Sequence, residues 1–447
     1  MKYSIFSLFL LYGFLVSESH EDKIQSIYGM QSFAINCNVD KSRYEYLNDL
    51  ANDPSFDFIK IPSLSTCQSN VTMDVLVPAQ VVKMFKKELR KRNISFDVCS
   101  EDISNEIHAR KRRDIDVSRR IQRLPSVFFE NYRSYQEMKE YCKVTIPNLN
   151  PAAKYVKIGT SLERRTIFGV KFTTDENARR PMILLDAGIH AREWISHMTA
   201  LYIISQLAKL ENRHIYDEID IVIIPNLNPD GYEYSRQKPE NRLWRKNRSS
   251  AVKKCRGVDL NRNFDTHWTS GIGSSDDPCA QTYKGKKAFS EPESRALSDF
   301  MKENKDRIKI YVTVHSYGNY FMYPWLYMFG AHWNYKLMDC IAHEAHDALH
   351  KVRGTTYKIG PSGKTLHVVS AASVDYAAEK MGIDIAYVLE LPAGPPEHKF
   401  HPKTSEIRLV GRETFAAFKT LAPYALKKGP CVDGTSKHLP KSSKKKT

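Results

Sequence analysis

The sequence predicts an α/β fold, with a mixed, mostly parallel central sheet covered by helices on both faces and a small α+β unit in front of it. Three observations carry that reading. PMILLDAG (181–188), IDIVIIPNLN (219–228), IKIYVTVHS (308–316) and DIAYVLEL (384–391) are near-continuous apolar runs, the pattern of strands buried on both faces. Helical patterns lie between them, such as the one from about Ile195 to Leu210, and this alternation builds a sheet with helical layers. A basic tract, HARKRRDID (108–116), divides these runs from a leading region of different texture.

The elements follow in chain order. Residues 1–19 hold a lysine, an apolar stretch from Ile5 to Val16 and small polar residues, a secretory signal pattern too short to span a membrane. In 20–113, SFAINCNV, VTMDVLV and ISFDVCSED read as strands, and PAQVVKMFKKELRKRN as an amphipathic helix with Pro78 near its start. Arg110 to Arg113 form the kind of exposed basic site that processing proteases cut, after Arg113. Residues 114–427 carry the main sheet. Residues 428–447, ending in lysines, read as a basic, polar and mobile tail.

At 447 residues, 42% of them hydrophobic, the chain can bury a sizeable core. The net charge of +16 is concentrated in runs at 86–92, 110–113 and 441–446. These runs lack interleaved aromatics and a binding motif, which argues against nucleic acid and leaves weak attraction to acidic glycans. No segment after the signal is long enough for a transmembrane anchor, so the expected location is extracellular. Asn70, Asn93 and Asn247 offer glycan acceptors. Cys37, Cys67 and Cys99 precede the basic tract, and Cys142, Cys255, Cys279, Cys340 and Cys431 follow it. Both groups are odd, so either each half keeps a free thiol or one disulfide joins the halves.

Polar residues gather where the apolar runs end. His190 and Glu193 follow one run, His315 closes another and Glu390 lies late in a third; ligands of open α/β sheets bind beyond such strand ends. Two imidazoles and a carboxylate make a three-ligand zinc site with a position left open. Zinc acidifies water and polarises a carbonyl, a free carboxylate such as Glu390 can move the proton, and an arginine can hold an oxyanion. Together these are the parts of a peptide-bond hydrolase. Two other signals carry no function. His343, His346 and His350 share a helix face opposite an apolar stripe, and so point to solvent. GPSGKT (360–365) lacks the first P-loop glycine, since Lys358 stands there.

GIHAREW, NPDGYEYS, NRLWRKNRS, GVDLNRNFD, TVHSYG and ELPAG occur in an order that resembles the pancreatic-type zinc metallocarboxypeptidases over about residues 125–427. MDVLVPAQVVKMFKKELRKRNISFDV resembles that family's inhibitory pro-domain. The resemblance implies one zinc ion per chain held by His190, Glu193 and His315. Glu390 would be the general base and Arg245 the oxyanion donor. Asn261 and Arg262 would grip the free C-terminal carboxylate of a peptide or protein substrate, with Arg192 as a secondary anchor, because a guanidinium matches a carboxylate bidentately. Cys255 and Cys279 match the family's disulfide. A secreted zymogen of an exopeptidase is the implied function; a weakly active protein that holds peptide C-termini is the alternative.

Against that family the chain departs in two places. His367 stands where a mobile tyrosine is usual, offering a donor whose charge would vary near neutral pH, and Ala371-Ala372 replace a glycine pair. After the base, ELPAGPPEHKF replaces an arginine- and aspartate-bearing continuation. Val374 falls at the expected floor of the side-chain pocket, with Met322 beside it, which favours apolar C-terminal residues because an unpaired buried charge is costly.

Overall fold

The computed structural model describes residues 29–51, 53, 55–62, 64–67, 71–104, 107, 125–252 and 254–439. The signal pattern, Asn70, the basic site ending at Arg113 and the lysines at 441–446 lie outside them.

The leading unit is an antiparallel sheet of β1 (Gln31–Asn36), β2 (Asp57–Lys60), β3 (Thr72–Val77) and β4 (Phe96–Ser100) in the order β2-β3-β1-β4. Its strands alternate. Met73, Val75 and Val77 enter a core with Leu47 and Leu50 of the helix Lys41–Ala51, and with Phe85 and Leu89 of the helix Val82–Lys91. The intervening Asp74 and Leu76 face the other way, as the two-residue period of a strand demands. Asp57 pairs with Leu76 in register, so two carboxylates share the outer face of this sheet. That face docks on the larger domain.

The larger domain is built on eight strands: β5 (Ala153–Thr160), β6 (Thr166–Phe172), β7 (Met182–Ala187), β8 (Asp220–Ile224), β9 (Ile308–Ser316), β10 (Tyr320–Tyr323), β11 (Lys358–Pro361) and β12 (Ile385–Leu391). Their order is β11-β10-β12-β9-β7-β8-β6-β5. The central β12, β9, β7 and β8 are parallel, and antiparallel pairings flank them. Ile183 and Leu185 of β7 face a core formed with the helices Trp194–Leu207, Tyr335–Arg353 and Glu406–Ala425. Met182 and Leu184 face the opposite core, with the helices Pro292–Asn304 and Ser373–Glu379. Helices therefore cover both faces, as the apolar runs require. No helix among the described residues is long and apolar enough to cross a membrane.

Several expectations change here. Cys37–Cys67, Cys255–Cys279 and Cys340–Cys431 are disulfides, while Cys99 and Cys142 stay free, so no disulfide joins the two halves. The first part of the tail is tied down rather than mobile: Pro430–Asp433 is a helical turn, Cys431 is bonded to Cys340, and His438 contacts Asp347 at 3.0 Å. Asn247 is no glycan acceptor, because it is fully buried and its amide donates to Glu291 and Glu293 at 2.7 and 3.0 Å. Asn93 is exposed. In GPSGKT the Gly363 N–H is turned to the protein's own backbone, donating to Trp325 O at 2.9 Å, and the Ser362 hydroxyl donates to Tyr323 O at 3.1 Å.

Candidate active site and metal centre

The chain leaves β7 through Gly188, whose φ of +71° belongs to the left-handed region; a Cβ there would lie 2.0 Å from the ring of His197. Only glycine fits that exit. The next turn presents His190, and Glu193 closes it as the residue capping the helix Trp194–Leu207. His315 lies near the end of β9, and Glu390 of β12 pairs with it in register. Parallel pairing thus sets the base beside a ligand.

The three ligand residues are buried, at 3, 3 and 2% exposure for His190, Glu193 and His315. The Nδ1 atoms of His190 and His315 are 3.2 Å apart, and Glu193 carboxylate oxygens lie 2.7 Å from His190 Nδ1 and 3.2 Å from His315 Nδ1. Two nitrogens bound tetrahedrally at about 2.0–2.1 Å to zinc would be roughly 3.4 Å apart, so the donor set fits that ion. Among the described residues the other such grouping, Cys340, Glu344 and Cys431, is spent on a disulfide. His343, His346 and His350 form no metal grouping, and they sit partly or fully exposed on their helix.

A residue with no assigned role in the sequence reading supports this set. Asp259 receives His190 Nε2 at 3.1 Å and Arg245 through Nε and Nη2 at 3.0 and 2.8 Å. Burial would push its carboxyl up, but Arg245, Arg262 and His190 outweigh that and hold it well below the usual range. A carboxylate behind a ligating imidazole fixes its tautomer and raises its basicity. Thr313 does a related job for His315, meeting Nε2 at 3.3 Å while donating to Asp186. Burial pushes the Glu390 carboxyl up, against the opposing pull of His315 and Arg245.

His190, Glu193, His315, Arg245 and Glu390 line one cavity of about 380 Å³ together with Arg192, Asn261, Arg262 and His367. Arg262 donates to Gly273 O and Asn261 O at 2.8 and 2.9 Å, and Asn261 Oδ1 accepts from Ser373 N at 2.9 Å, so both are braced. Val374 does not line the cavity. It begins a helix whose side chains enter the core, at 1% exposure, and the apolar wall is made by Met322, Leu326, Leu366, Val369 and Val388. Ala371 has φ +60°, a left-handed position that favours glycine.

The leading domain reaches into the cavity. Asp57 pairs with Arg192, the second contact being 3.3 Å, and Ile61 backbone meets the His367 ring. Burial, then Arg262 and Arg245, bring His367 down to about 3. The imidazole is therefore neutral while the leading domain covers it.

The sequence matches the zinc carboxypeptidase family over residues 138–417 and the carboxypeptidase activation peptide family over 39–110. It is 36% identical to carboxypeptidase B of Astacus astacus over 300 residues, 66% of this chain and 97% of that one. It is 31% identical to carboxypeptidase A4 of Mus musculus over 401 residues, 88% and 93% of the two chains. The solved carboxypeptidase A from Helicoverpa armigera superposes with a TM-score of 0.82 at 26% identity, covering 91% of this chain and 98% of that one. The protein belongs to the zinc carboxypeptidase family and carries that family's activation peptide. It is a metallocarboxypeptidase, made as a zymogen, that uses one zinc ion.

Proposed function

We propose that this zymogen is secreted, is activated by a cut after Arg113, and then removes single apolar residues from the C-termini of peptides and proteins. One observation carries the reading: the ligand set, a free carboxylate and several cationic groups converge on one cavity with an apolar wall. Zinc, held by His190, Glu193 and His315, supplies Lewis acidity toward water and the scissile carbonyl. Asn261 and Arg262 hold the terminal carboxylate, with His367 the nearby donor in place of a tyrosine and Arg192 the anchor further out. Glu390 accepts the proton of the attacking water and returns it to the leaving amine. Arg245, aimed by Asp259, donates to the oxyanion as charge develops there.

The absence of a charged group in the wall of Met322, Leu326 and Val388 favours an apolar C-terminal side chain over Lys, Arg, Asp or Glu. That supports A-type preference, although relatives named both A and B are similar to this chain. Docking of Asp57 and Ile61 keeps substrate out until the leading domain departs. The test is amino-acid release from peptides ending in Phe, Leu, Lys or Glu, using protein cut after Arg113, uncut protein and a chelator control. Release from Phe and Leu peptides that needs both cutting and metal is expected. Faster release of Lys or Glu overturns the assigned preference.

A further inference from the structure

The segment PAGPPEHKF after the base, one of the chain's departures from its family, reaches the main cavity through Phe400, and its residues 396–400 line a small space beside that cavity under the leading sheet. Tyr317 and Phe400, with ring centroids 5.0 Å apart, line both the main cavity and the space adjoining it under the leading sheet. A cation flanks each aromatic ring. The Arg192 guanidinium lies 4.3 Å from the Phe400 ring, and Lys399 Nζ lies 5.9 Å from the Tyr317 ring.

In the zymogen both cations are taken by carboxylates of the leading domain. Asp57 sits on Arg192, and Asp74 sits on Lys399 with Nζ to Oδ1 of 2.7 Å. Asp74 also accepts from the Tyr317 hydroxyl at 3.3 Å, and it is only 5% exposed. The two acids come from the neighbouring strands β2 and β3 and project from one face. The leading domain thus lays two carboxylates along the cleft, as an acidic peptide would. Its departure uncovers Lys399 and the Tyr317 hydroxyl at the edge of the main cavity that Tyr317 and Phe400 form.

We propose that in the activated enzyme Lys399, with Tyr317, is a specificity-determining residue that favours peptides bearing an Asp or Glu side chain upstream of the scissile bond. The substrate carboxylate takes the place of Asp74. This rests on the carboxypeptidase activity, and a neutral peptide reads that activity separately from the preference.

The test uses enzyme cut after Arg113 and freed of its leading segment. Peptides share a C-terminal Leu and carry a single Glu moved along the upstream positions, each paired with its Gln counterpart. At one position the Glu peptide should exceed the Gln peptide in kcat/KM by about fivefold, the scale of a partly exposed ion pair. The gain should reside in KM and shrink at high salt. Lys399→Gln should bring the ratio to about one, Lys399→Glu should invert it and Lys399→Arg should keep it. The Gln-peptide rate in each variant shows that the enzyme is folded. A wild-type ratio near one at every position overturns the proposal. So does a ratio that survives Lys399→Gln, even if that change loosens the cut leading segment.

Discussion

The metal end of the cleft and its rim are built differently. His190, Glu193, His315 and Glu390 sit at or just beyond the ends of central strands, where parallel register fixes one against the next. Arg192, His367 and Lys399 lie outside the central strands, and each is completed by the leading domain, through Asp57, Ile61 and Asp74. By the resemblance read from the sequence, the metal end matches the expected residue types, and the departures, at His367, Ala371 and the segment before Phe400, fall at the rim. Chemistry that needs fixed ligand geometry tolerates little change, while a rim that meets partners through loops can vary.

The largest effect should come at the metal end. Glu390→Gln keeps the shape and removes the base, so kcat should fall about 10³-fold with zinc still bound, since general-base catalysis contributes 10²–10⁴. Single-turnover kinetics beside a zinc assay measures both. A variant within tenfold of wild type would mean another group moves the proton, and the strand-end assignment would fail.

At the rim, Asp57→Asn should release the leading domain more often. Loss of a buried, hydrogen-bonded charge pair costs about 2 kcal/mol or more. Residual activity of the uncut chain should therefore rise about 30-fold, the factor that 2 kcal/mol implies. Unchanged residual activity would mean that the Arg192 pair does not hold the domain in place.

His367 gives a smaller, pH-dependent effect. Covered, it is held down at about 3; uncovered, an imidazole titrates near about 6.5. The closed state thus binds fewer protons, so the stability it draws from this group is full above about pH 6.5 and is lost as pH falls toward 3. Activity of the uncut chain, relative to cut enzyme at each pH, should climb below about pH 6.5 by up to about tenfold per unit. His367→Gln should remove that part of the slope. An identical profile in the variant would show that other groups carry it.

The smallest effect concerns the left-handed Ala371. Ala371→Gly should raise unfolding stability by about 1 kcal/mol, because alanine in that conformation is strained and glycine is not. Chemical denaturation reads it, and a loss of stability would show that Ala371 is not strained.

Local sequence determined the strands and the metal end. An uninterrupted apolar run can only be a buried strand or helix, and the polar residues that finish each run are carried to the same sheet edge. His190, Glu193, His315 and Glu390 were legible for that reason. The H-x-x-E spacing alone was not enough; its place after an apolar run made it a site. GPSGKT was legible as a decoy from the missing glycine at Lys358.

Contacts between distant segments were decided only by the tertiary structure. Asp57 and Arg192 are 135 residues apart, and Asp74 and Tyr317 are 243 apart; no local pattern pairs them. Asp259 lay in plain view within GVDLNRNFD, but its service to both His190 and Arg245 depends on how two loops meet. Val374 left the pocket wall because its helix turns it into the core, and Asn247 lost its role as an acceptor because two buried glutamates claim its amide. Sequence determines what each residue can do chemically and which way a strand or helix turns it. Burial and long-range partners decide which of those capacities is used, since a side chain's charge, access and hydrogen bonds are set by the neighbours that folding brings to it.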